Sequence, residues 1–89
     1  MVDITKIMAM NIEPTVEKVI EIVAAALEVA PELITIETDS SEIEEWDSLG
    51  QISILAKLDE VFSEVTERIP DLASAVSIKE IHQLLSKPA

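Results

Sequence analysis

The chain predicts an all-α fold: a small four-helix bundle of three main helices and one short one, with a long loop between the first and second helices. Two scarcities point that way. Glycine occurs once, at Gly50, and the aromatics are Trp46 and Phe62 alone, so turn formers and β-favouring side chains are sparse. Aliphatic residues, by contrast, recur at three- and four-residue steps. At 89 residues and 48% hydrophobic, the chain supports one modest core and is too apolar for a disordered acidic tail.

The first strong helix is expected from about Pro14 to Leu27, because Pro14 is tolerated in a first turn and Val16, Val19, Ile20, Val23 and Leu27 keep helical spacing. The run Ala24-Ala25-Ala26 adds propensity. From Glu28 to Trp46 the periodicity stops. A connection this long in a small domain is uncommon and usually functional. Ile34, Ile36, Ile43 and Trp46 are candidates to pin it to the bundle, with Trp46 as a buried anchor. Leu33 to Ile36 can also be read as a short strand, but it has no obvious pairing partner.

The second helix should run from Ser48 to about Glu64 or a little beyond, with Pro70 separating it from a short turn or helix around Asp71 to Ala75. The last helix begins at Ser77, where Glu80 three residues later makes a capping-box pattern. Ile78, Ile81, Leu84 and Leu85 form its apolar side. His82 falls at the surface or boundary of that helix. This gives a helical domain over residues 13–86, an extension over 1–12 and a tail over 87–89. Met8 and Met10 leave an internal start open.

Eighteen acidic residues against six basic ones give a formal charge of −12. That balance argues against nucleic acid and anionic membrane surfaces and favours partners with basic patches. No apolar run is long enough to span a membrane, and residues 1–12 hold one lysine and no arginine, so a cytoplasmic monomer is the default expectation. With no cysteine, disulfides and thiolate metal sites are excluded, and thiol chemistry would have to arrive on a prosthetic group. The acidic run from Asp39 to Asp47 lacks the glycine and terminal glutamate spacing of a calcium loop, so it reads as a solvated acidic loop and no metal site is expected.

Trp46-Asp47-Ser48-Leu49-Gly50 stands where this loop becomes the second helix. Asp47 suits an N-cap, which places Ser48 in the first turn, where unbonded N–H groups and the helix dipole favour a phosphate. Nucleophilic catalysis would need a base beside the hydroxyl, and the only histidine, His82, belongs to a different helix. Ser48 therefore reads as a modified serine, in a protein that is not itself an enzyme. Gly50 either permits close approach by a modifying enzyme or sits in a tolerant first turn.

Plotted at 100° per residue, the second helix has two apolar faces. Ile54, Leu55, Leu58, Val61, Phe62 and Val65 form a core stripe, while Leu49, Ile52 and Ala56 lie opposite among Ser53, Glu60 and Ser63. This second ridge either covers the loop or meets a partner. Its start beside Ser48 favours a docking surface made by Leu49, Ile52, Ser53, Ala56 and Glu60.

Together these features resemble the acyl carrier proteins, small acidic four-helix bundles with a long first loop and an Asp-Ser-Leu motif opening the second helix. The motif here is Asp47-Ser48-Leu49, and the resemblance spans roughly Glu13 to Leu85. It implies that a phosphopantetheinyl transferase joins Ser48 to 4′-phosphopantetheine from coenzyme A, with Asp47 and Leu49 flanking the attachment site. The thiol of the arm would then carry acyl groups as thioesters to loading and transferring enzymes with basic docking patches. The sequence departs from many fatty-acid carriers, which have a glycine shortly before the motif and an acid directly after it. Here Glu44-Glu45-Trp46 precede it and Gly50 follows, while Gln51, Ser53 and Lys57 make the start of the helix less acidic than usual. A specialised, polyketide-like acyl pathway thereby stands beside fatty-acid synthesis. Two other readings are an aminoacyl carrier (D-alanyl or peptidyl) of the same architecture and an acidic adaptor that is never modified.

Overall fold

A computed structural model describes residues 14–86. The extension expected over 1–12 and the tail over 87–89 lie outside the described residues. Within them the chain forms α1 (Val16–Leu27), α2 (Ser48–Phe62), the four-residue α3 (Val65–Arg68) and α4 (Ile78–Ser86). Short 3₁₀ turns at Pro31–Leu33, Ser40–Glu42 and Pro70–Ser74 punctuate the connections. The all-α expectation of three main helices and one short one therefore holds, and no strand occurs among the described residues.

Helix α1 begins two residues later than expected. Thr15, in extended conformation, accepts from the Lys18 N–H through its hydroxyl, so the threonine is the cap and Pro14 precedes the helix. Val19, Ile22, Val23 and Leu27 turn inward, and α1 packs on both α2 and α4. Glu28 ends the helix in the left-handed region, φ 60°, and the Val29 N–H reaches the Ala24 carbonyl at 3.0 Å. Such closures usually take glycine at the left-handed position.

The loop is anchored by three of the four side chains expected to pin it. Ile34 and Trp46 are buried and Ile43 packs against the same core, while Ile36 does not join the cluster. Leu33 to Ile36 is not a strand: Pro31–Leu33 is a 3₁₀ turn, and Thr38 Oγ1 accepts from the Thr35 N–H at 2.9 Å just beyond it. The loop then crosses to the start of α4, where Ser40 N–H donates to the Val76 carbonyl (2.8 Å) and Ile78 N–H to the Thr38 carbonyl (3.1 Å). These two bonds make an isolated antiparallel bridge between Asp39 and Ser77.

Helix α2 stops at Phe62, short of the expected Glu64, because Ser63 and Glu64 both take positive φ, 46° and 57°. Asp59 explains the break. Its carboxylate accepts from the Thr66 N–H at 2.9 Å and the Thr66 hydroxyl at 2.8 Å, capping a new helix, α3, that delivers Val65 into the core. Val65 thus belongs to the core stripe but not to α2. The segment expected as a short helix around Asp71 to Ala75 is instead the 3₁₀ turn Pro70–Ser74, which buries Leu72. In α4 the Ser77 hydroxyl accepts from the Glu80 N–H at 3.1 Å, while the Glu80 carboxylate reaches back to the Val76 N–H at 3.0 Å. Ile78 and Ile81 are fully buried, and His82 is half-buried, bonded through Nε2 to the Ser86 hydroxyl. No helix among the described residues is long and apolar enough to cross a membrane.

Candidate functional site

The entry to α2 is built from the residues singled out in the sequence and from two whose roles it left open. Asp47 is extended, and its Oδ1 accepts from the Gly50 N–H at 2.9 Å; its carbonyl accepts from the Gln51 N–H at 2.8 Å. The aspartate is the N-cap expected. Ser48 is the first helical residue and is exposed, so its hydroxyl is presented at the positive end of a fifteen-residue helix. The Ser48 and Leu49 N–H groups stand in the first turn, where no preceding helical carbonyl is available to them.

Gly50 is buried, and the reason is packing. A Cβ there would collide with the Glu45 carbonyl oxygen and come within 2.8 Å of Leu27 Cδ2. Glycine lets the last stretch of the loop lie directly on α2 while α1 closes from the other side. Access for a modifying enzyme is not what this contact provides.

Gln51, which the sequence shows only as one of the residues that make the start of α2 less acidic, turns inward. Its Oε1 accepts from Trp46 Nε1 at 2.6 Å, and its Nε2 faces the carbonyls of Leu72 (3.3 Å), Ala73 (3.3 Å) and Ala75 (2.9 Å). One amide thus ties together the loop, the motif helix and the Pro70–Ser74 turn, and it satisfies the indole N–H of a side chain that is only 4% exposed. The signal was present: Gln51 stands three residues before Ile54 and seven before Leu58, a polar side chain on the core stripe.

On the opposite side of α2 the second ridge is free. Leu49 is 74% exposed and Ile52 61%, and Ser53, Ala56, Glu60 and Ser63 are exposed with them. The alternative in which Leu49 and Ile52 cover the loop is therefore ruled out; Trp46, Ile34 and Ile43 perform that task. Val76, 41% exposed, joins the same surface from the start of α4. Between it and α2 lies an open cleft of about 480 Å³, lined by Ser40, Trp46, Asp47, Ser48, Gln51, Ile52 and Val76. The Ser40–Val76 hydrogen bond holds its far wall. Asp47 is the one ionisable group in that lining among the described residues, and its carboxylate is engaged as the cap. A larger cleft of about 670 Å³ lies between the Pro70–Ser74 turn and α4, lined by Asp71, Ser74, Glu80 and Leu84 among others, and includes none of the predicted site residues.

The acids of the loop are spread along it. Asp39 accepts from the Ser41 N–H and hydroxyl, and Glu42, Glu44 and Glu45 are exposed. Among the described residues no group of three or more acidic, histidine or cysteine side chains is arranged to hold a metal ion. No family model, curated protein or solved structure matches the chain.

Proposed function

We propose that this protein is a carrier whose Ser48 bears a 4′-phosphopantetheine arm, with acyl intermediates held on that arm and presented to partner enzymes. The single observation that carries the reading is the placement of Ser48. It is exposed on the first turn of α2, capped by Asp47, with Leu49 and Ile52 equally free beside it. A phosphodiester on that hydroxyl would sit against the N–H groups of the first turn, the ordinary setting for a bound phosphate. The cleft between Ile52 and Val76 offers the arm a path along the surface, with Trp46 and Gln51 as its rigid floor.

The surroundings of Ser48 support attachment over hydrolysis. Among the described residues its cleft contains no histidine or lysine, and the carboxylate nearest in sequence is committed to the cap. The arm would supply the chemistry, a thiol that forms a thioester. The protein supplies the attachment oxygen, a fixed helix end and an apolar surface for the enzymes that load and unload the arm. With a net charge of −12, those enzymes are expected to carry basic patches. Fatty-acid synthesis and a specialised acyl pathway both use such a carrier.

Incubation with coenzyme A and a broad-specificity phosphopantetheinyl transferase tests the reading by intact mass. The expected result is a gain of one phosphopantetheine unit. An unchanged mass with an active transferase would leave the acidic adaptor as the better account. Loading the modified protein with acyl and aminoacyl groups by their respective enzymes then separates an acyl carrier from a D-alanyl or peptidyl one.

A further inference from the structure

One amide closes the floor of the cleft beside Ser48. Gln51 Oε1 accepts from Trp46 Nε1 at 2.6 Å, and its Nε2 faces the Leu72, Ala73 and Ala75 carbonyls at 3.3, 3.3 and 2.9 Å. Gln51 and Trp46 line the same cleft as Ser48. The core begins directly past them: Leu72 and Ile54, the latter three residues further along α2, are completely buried. The far wall is closed as well, by the Ser40 N–H on the Val76 carbonyl at 2.8 Å. Among the described residues no buried side-chain nitrogen or oxygen lacks a hydrogen-bond partner, so the seal holds no loose donor or acceptor.

We propose that Gln51 is a specificity-determining residue that keeps the cargo of the arm out of the core, and that the cargo is a short or polar acyl group. This rests on the carrier reading of Ser48. An apolar chain tethered beside a core enters it when burial returns more than entry costs, and the return grows with each methylene. Entry here displaces the Gln51 amide. That orphans the Trp46 indole N–H and the carbonyls of Leu72, Ala73 and Ala75 together. Trp46 is only 4% exposed, so water is poorly placed to replace the bond it would lose. Entry also parts side chains that are already close-packed. A group of about four carbons returns too little to meet both costs. A polar acyl group is better solvated outside the core. Either one stays in the open cleft, with its thioester accessible to a partner enzyme. A long saturated chain held outside would leave its whole apolar surface in water, which makes it the poor cargo.

Butyryl- and dodecanoyl-coenzyme A, with a broad-specificity phosphopantetheinyl transferase, place each chain on Ser48 for comparison with the unacylated form made from coenzyme A. The melting temperatures of the three forms should agree within about 2 °C. The Trp46 indole N–H resonance should not move with chain length. A dodecanoyl form that melts higher by more than this, or that shifts the indole resonance, would overturn the proposal, because either means that the chain has passed Gln51. Gln51→Leu opens the same path with an apolar side chain. Its dodecanoyl form should melt about 5 °C or more above its own unacylated form, and its butyryl form should not. Equal melting of the dodecanoyl and unacylated forms of Gln51→Leu would remove Gln51 as the determinant. If that variant does not unfold cooperatively, the wild-type comparison decides alone. No mass gain from any of the three coenzymes is a separate failure: it removes the carrier reading itself, and this proposal with it.

Discussion

The two faces of α2 carry similar aliphatic side chains and meet opposite fates. Ile54 and Leu58 are completely buried, whereas Leu49 and Ile52 remain mostly in water, although Ile52 and Ile54 are two residues apart on one helix. Burying a side chain of that size is worth about 1.5–3 kcal/mol, so the inner face accounts for folding. The outer face gains little from folding of the chain. On the carrier reading proposed above, its apolar residues would meet a partner enzyme, and the inner face shows what the same helix looks like where packing alone decides.

The largest expected effect breaks this comparison at its centre. Ile54→Asp would bury an unpaired carboxylate among Val23, Leu58 and their neighbours, and should abolish cooperative thermal unfolding. Ile52→Asp should leave stability within about 0.5 kcal/mol of wild type and weaken enzyme docking instead. Paired melts and transferase KM values decide between them; equal destabilisation by both would mean that the outer ridge is structural after all.

Gln51→Glu comes next. A carboxylate in place of the amide would still accept from Trp46 but would confront the carbonyls of Leu72, Ala73 and Ala75 with no donor. A loss of about 2–3 kcal/mol in denaturant melts is expected, with a red-shifted emission from Trp46, the only tryptophan. This substitution would enrich α2 in acid, the feature common in the acyl carriers the sequence resembles, yet here it should harm the fold rather than improve docking.

Gly50→Ala should cost about 1–2 kcal/mol. The gain in helix propensity is offset by the clash with the Glu45 carbonyl and Leu27. The smallest effect is a gain: Glu64→Gly should stabilise by up to about 1 kcal/mol, because it relieves a left-handed backbone at φ 57°. Chemical denaturation measures both.

How much of this was legible in the sequence differs by element. Spacing was enough to place α1, α2 and α4 and to separate the two faces of α2, since helical period depends on local side chains. The cap at Asp47 and the box at Ser77 and Glu80 were readable for the same reason. Boundaries set by longer-range bonds were not. Phe62 ends α2 because Asp59 caps Thr66 in the next helix, and nothing in the periodicity announces that exchange. The spacing of Gln51 from Ile54 and Leu58 puts it on the core stripe, but its partners were not legible, being carbonyls more than twenty residues away that only the fold brings near. Gly50 was left undecided because the atoms that forbid a side chain there, in Glu45 and Leu27, belong to the loop and to α1.

The account stands or falls at one oxygen atom. Wild type and Ser48→Ala, incubated in parallel with coenzyme A and a phosphopantetheinyl transferase, should give matching circular dichroism and different intact masses. The exposed hydroxyl contributes little to the fold, so the variant should remain fully helical. Addition of one phosphopantetheine to the wild type and none to the variant is the predicted result. An alanine variant that gains the group, or a wild type that does not, would contradict the assignment of Ser48 as the carrier site.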